Sequence, residues 1–101
     1  MPTAPATEDQ SAQMALLADP ATHGGLRPER IDTHGAVVFL AGERAFKLKR
    51  AVRFSFLDYS TAERRRAACA AELAINRRTA PDLYLGVRPV LADAGGRLRL
   101  G

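Results

Sequence analysis

The 101-residue chain has one cysteine, Cys69, and two histidines, His23 and His34. A single thiol excludes an intramolecular disulfide, and with so few imidazoles it argues against a zinc site. Cys69 sits in an Ala-rich helical pattern and reads as a small buried apolar residue. Long apolar runs are also lacking. The longest, AVVFLA at residues 36–41, is far short of the ~20 residues that cross a bilayer. At the N-terminus, MPTAPATEDQ puts proline and acids where an export signal has basic and then apolar residues. A cytoplasmic protein with no membrane partner is therefore expected. His23-Gly24-Gly25 is not followed by Gly-Lys-Ser/Thr, so it is no P-loop. Neither an internal repeat nor a low-complexity segment is present.

A hydrophobic content of 47% supports one domain with one modest core. Charge is unevenly spread. Residues 1–34 hold five acids and two bases, net −3, whereas the rest hold thirteen bases and six acids, net +7. A basic C-terminal two-thirds points to an anionic partner, either nucleic acid or the phosphates of a nucleotide, with a solvated surface as the plain alternative.

Residues 1–8 read as a frayed tail, and Met14, Leu16 and Leu17 among alanines mark a short helix ended by DPATHGG. Residues 1–25 are thus a tail plus a short helix, and residues 26–101 the domain proper. Two antiparallel strands are expected within residues 29–40, joined near Gly35. AGER then forms a hairpin turn with Gly42 at positive φ, leading into a strand over residues 44–50. Its alternation places Ala45, Lys47 and Lys49 on one face, and Phe46, Leu48 and Arg50 on the other. After an apolar-aromatic loop, Ser60-Thr61-Ala62-Glu63 has the form of a capping box. The helix it opens runs to Pro81, with Arg64, Arg65 and Arg66 outward and Ala68, Cys69, Leu73 and Ile75 as its apolar stripe. LYLGVRPVL, residues 83–91, reads as a strand, ADAGG as a turn and RLRLG as a returning strand. The fold class expected is α+β, a five-stranded antiparallel sheet with one packed helix, preceded by the short N-terminal helix.

Glu72 lies on or beside that apolar stripe, where an unpaired carboxylate costs several kcal/mol. It needs a partner, and Lys47 is the candidate. Ala45-Phe46-Lys47 followed by a helix with an internal Glu matches the small lobe of the protein-kinase-like fold. More specifically, THGAVVFLAGERAFKLKRAVRFSFLDYSTAERRRAACAAELAINRRTAPDLYLGVRPV, residues 33–90, resembles the opening of bacterial aminoglycoside-phosphotransferase-like proteins, which often carry a P-loop ATPase domain downstream. The resemblance rests on the T-H strand, the aromatic-K-L-K-R strand, F-L-D-Y-S before the helix and N-R-R-x-x-P-x-L-Y-L-G-V after it. It implies ATP with magnesium as cofactor, with Lys47 paired to Glu72 against the phosphates. Lys49 competes for that role from the same face, and Lys47 is favoured by its A-x-K register. An exposed edge-strand lysine is the plain reading of either. His34 could approach a phosphate from the first turn, or simply hydrogen-bond backbone.

The pattern departs from that family in places. No G-x-G-x-x-G loop is present, and no H-x-D-x-x-x-x-N follows. The catalytic base, the metal-binding Asn and the metal-binding Asp are missing, so the small lobe is incomplete, the large lobe is absent, and the chain alone is expected to be inactive. Asp58-Tyr59-Ser60 precedes the helix and is no D-F-G variant. The alternative function is a stand-alone basic α+β module that binds nucleic acid through Arg64–Arg66 and Arg77-Arg78. Phe39, Phe46 and Tyr84 sit singly among aliphatics, without the clustered aromatics such a module uses.

Overall fold

The computed structural model describes residues 6–54, 57–80 and 85–101. Its first helix, α1, covers Ser11–Ala18. Asp19 then caps a single 3-10 turn, Pro20–His23, by accepting the Ala21 amide, and Gly24 closes it at φ 63°. Proline at the start and a left-handed glycine at the end delimit a helical turn for the usual reasons of fixed φ and absent Cβ.

Strands β1 (Glu29–Asp32), β2 (Ala36–Ala41) and β3 (Arg44–Lys49) form one antiparallel sheet with β2 at its centre. The β2–β3 hairpin turns on Gly42 at φ 58°. Register sorts the side chains into two faces. Val37 pairs with Leu48 and Phe39 with Phe46 on one face, while Ala36 pairs with Lys49 and Val38 with Lys47 on the other.

The core lies on the first face. Leu17 of α1, Val37 and Phe39 are buried together, with Met14, Phe46, Leu48 and Leu100 packed around them. His23 adds its ring, 5.0 Å from that of Phe46. The N-terminal helix thus contributes one wall of this core. The tail expected over residues 1–8 is likewise held where it is described: the Thr7 amide donates to the Ala51 carbonyl at 2.7 Å.

The five-stranded sheet does not form. Beyond β3, Arg53–Phe54 (β4) pairs with Leu57–Asp58 (β5), and Val90–Ala92 (β6) with Leu98–Leu100 (β7), each as a separate two-stranded ribbon. The strand expected over residues 83–91 is reduced to β6, its start at Leu83 and Tyr84 lying outside the described residues. The reason is where Leu100 goes. It joins Leu17 in the core on the α1 side, so β7 buries its apolar residue there and does not extend the edge of β3.

The long helix, α2, spans Ala62–Thr79. Its N-cap is Thr61, whose Oγ1 accepts the Arg64 amide at 3.1 Å. That register puts Glu63 at the second helical position, one short of the third, from which a Glu could close a capping box with Thr61. The Ser60 hydroxyl and amide instead turn back onto Asp58 Oδ1. Among the described side chains of α2 none is fully buried, and Ile75, expected in its apolar stripe, is 66% exposed. With three strands in place of five, the second face is too narrow to cover the helix.

Candidate functional site

Alternation along β3 delivers both lysines to the face opposite α1, and α2 delivers Glu72 to the same place. Glu72 Oε1 stands 3.4 Å from Lys47 Nζ, and Oε2 stands 3.7 Å from Lys49 Nζ. One carboxylate thus bridges two ammonium groups in different surroundings. The Lys47 side chain is 45% exposed and that of Lys49 7%, with Glu72 between them at 32%.

From the sequence, Lys47 is the lysine expected to pair with Glu72 under cover. The covered lysine is Lys49, because β3 ends there against Tyr59, whose ring faces its ammonium at 4.9 Å. A cation over an aromatic face recovers part of the solvation it gives up. Gly35 lets the β1–β2 turn approach the ring closely. A Cβ there would lie 3.3 Å from the Tyr59 ring, so the ring would have to give by a few tenths of an ångström to accept one.

The backbone around Lys49 is tied down from the N-terminal side. Gln10, itself buried, donates from Nε2 to the Lys49 carbonyl at 3.0 Å and accepts the Ala51 amide on Oε1 at 2.8 Å. Arg65, expected to face outward with its neighbours, turns inward instead. Its Nη1 donates to the Tyr59 carbonyl at 2.9 Å and its Nη2 pairs with Glu8. Arg64 pairs with Asp58 at 3.2 Å. The bonds from Ser60, followed by Arg64 and Arg53, hold the Asp58 carboxyl below its usual range.

His34 takes no part in this cluster. Its ring leans on Phe54 at 6.3 Å, and its carbonyl accepts from Arg50 at 3.2 Å. The cleft it helps to line, about 400 Å³ with Met14, Arg30, Asp32, Thr33 and Arg50, involves α1 and so lies toward the other face. Cys69 is partly buried beside the lysines and Glu72, and burial pushes its thiol up, against the pull of Lys49. It is poorly poised as a nucleophile at neutral pH.

Among the described residues no group of three or more His, Cys, Asp or Glu could hold a metal ion. What the cluster does offer is a half-exposed ammonium, Lys47, that an anionic group such as a phosphate could meet. No described helix is long and apolar enough to cross a membrane.

Sequence reasoning found Lys47, Lys49 and Glu72 and missed Gln10, Tyr59 and Arg65. The signal for Arg65 was available. On a helix it lies seven residues, close to two turns, before Glu72 and so shares its face. Nothing in the sequence near Gln10 announces a side chain that reaches β3.

Over 65 residues the chain is 48% identical to uncharacterized proteins of Mycobacterium bovis and of two Mycobacterium tuberculosis strains, a match covering 64% of this chain and 13% of each relative. The chain therefore spans a small part of the length of the curated relatives it matches. No family model matches it, and no solved structure does.

Proposed function

We propose that the chain is the nucleotide-binding small lobe of an aminoglycoside-phosphotransferase-like kinase, with Lys47, held by Glu72, contacting the phosphates of ATP. One observation carries this reading: a carboxylate shared by a covered and an open ammonium. Lys49 satisfies Glu72 from below, and Lys47 keeps nearly half its side chain in solvent, where an anion can replace water. An ammonium already drawn toward a carboxylate has less freedom to lose on meeting a phosphate than a free surface lysine does.

ATP would supply the transferable phosphoryl group. This chain's residues would orient it, and the catalytic base, the metal ligands and the groups that position the acceptor would come from a large lobe, which in proteins of this kind often precedes a P-loop ATPase domain. A cytoplasmic setting agrees with this reading.

The test is a comparison of Lys47→Ala with Arg66→Ala in the full-length protein. Arg66 is an exposed charge on α2, so its loss should change ATP affinity less than about twofold, whereas Lys47→Ala should weaken it by about tenfold or more. Equal effects of the two, with nucleic-acid affinity that falls steeply as salt rises, would replace this reading with that of a basic nucleic-acid-binding module.

A further inference from the structure

Four residues N-terminal to α1 do more than connect. The Thr7 amide donates to the Ala51 carbonyl at 2.7 Å, and its hydroxyl lies 3.1 Å from that oxygen and 2.8 Å from the Ser60 carbonyl. Glu8 holds Arg65, and Arg65 holds the Tyr59 carbonyl. Gln10 brackets Lys49 and Ala51 with both ends of its amide. Residues 7–10 therefore touch the end of β3, the Tyr59-Ser60 junction and the first turns of α2. These are the three pieces of chain whose relative placement decides whether Glu72 can reach Lys49.

We propose that Gln10 is a positioning residue for the lysine cluster, and that residues 7–10 are a strap that sets the Lys49–Glu72 pair and through it the stance of Lys47. The physical basis is satisfaction of a strand end. Past Lys49 the chain bends away, and Val52 bonds only as far back as Arg50. The Lys49 carbonyl and the Ala51 amide are left without ladder partners on that side. A buried primary amide is both donor and acceptor, so one Gln side chain stands in for a strand residue. Because Gln10 is 6% exposed, water cannot readily replace it, and losing it leaves buried backbone groups unpaired. The strand end then opens, the Lys49 side chain leaves the Tyr59 ring, and Glu72 is left to the exposed Lys47 alone. The value of this for phosphate binding rests on the nucleotide reading; the strap itself does not.

The experiment reads each lysine separately. The full-length protein is treated with limiting acetyl N-hydroxysuccinimide ester, and the initial acylation rates of Lys47 and Lys49 are measured by mass spectrometry, with and without ATP. In the native protein Lys49 should react more slowly than Lys47. Gln10→Leu, which keeps the volume and removes both hydrogen bonds, should raise the Lys49-to-Lys47 rate ratio by about tenfold through local opening. Leu17→Ala, a core truncation on the other face, should lower the melting temperature at least as much and leave that ratio within about twofold. An unchanged ratio in Gln10→Leu, or an equal rise in Leu17→Ala, overturns the proposal. Should Gln10→Leu fail to fold, Thr7→Val removes a single strap hydroxyl and is read the same way: a raised ratio supports the strap and an unchanged one refutes it. A ratio that moves as expected while ATP leaves Lys47 unprotected upholds the strap and counts against the nucleotide reading alone.

Discussion

Replacing Glu72 by glutamine keeps the side chain's size and removes one negative charge from between two positive ones. The two arms of the bridge should not suffer equally. Lys47 is 45% exposed, so water screens its arm to a net worth of at most about 1 kcal/mol. Lys49 is 7% exposed and its ammonium is 3.7 Å from Oε2. At an effective dielectric near 20 that separation corresponds to about 4 kcal/mol of attraction. Glu72 is itself a third exposed and Tyr59 stays in place, which together reduce the cost of the substitution to about 2 kcal/mol. For a domain of this size the melting temperature should fall by roughly 8–16 °C. The decisive assay is a double-mutant cycle by thermal or urea denaturation, with Glu72→Gln made in native, Lys47→Met and Lys49→Met backgrounds. In the Lys49→Met background the cost of Glu72→Gln should drop below about 1 kcal/mol, since no covered charge remains to be orphaned. In the Lys47→Met background it should stay near its native value. An equal cost in all three, or coupling carried by Lys47, would refute the assignment of Lys49 as the covered partner.

Two further outcomes follow from the local geometry. The folded-state pKa of Asp58 is lowered by Ser60 and by Arg64 and Arg53, so its stabilisation should be fully present above the unfolded value of about 3.9 and vanish as pH falls through the lower folded value. Native and Asp58→Asn proteins should accordingly differ in melting temperature at pH 7 and converge at the acid end; a constant gap down to pH 2 would contradict this. Gly42→Ala places a β-carbon at φ 58° and 3.0 Å from the Leu26 methyl. Leu26 is exposed and can move, so the cost should be the conformational one of about 1 kcal/mol. A neutral substitution by urea denaturation would show that the turn relaxes.

The parts of the fold legible in the sequence were those decided by neighbours. Gly42, the alternation of β3 and the start of a helix after Ser60 all depend on residues within one turn or one strand, and each formed within a residue or two of expectation. The parts that were not legible depend on competition between distant partners. RLRLG has the pattern of a sheet strand, yet Leu100 finds its burial against Leu17, more than eighty residues earlier. For the site, shared facing made the two lysines and Glu72 readable. Which lysine is covered was not, because that turns on Tyr59 and Gln10 arriving from elsewhere in the chain.

The way α2 is held has a mechanical consequence. Its 18 residues extend about 27 Å, and its ties include Asp58 and Glu8 on Arg64 and Arg65 at its start, Glu72 on the lysines partway along, and Arg77 on the Leu85 carbonyl, 2.7 Å away, in its last turns. Beyond Glu72 its side chains are largely in solvent, Ile75 most of all. Helix length magnifies a tilt at the base, so that about 5° at Thr61 corresponds to roughly 2 Å at the far end, where Arg77 links the helix to the Leu85 backbone. The leverage also runs in reverse. A push of that size on the last turn arrives at Glu72 as a displacement comparable to the slack in an ion pair, enough to favour one ammonium over the other.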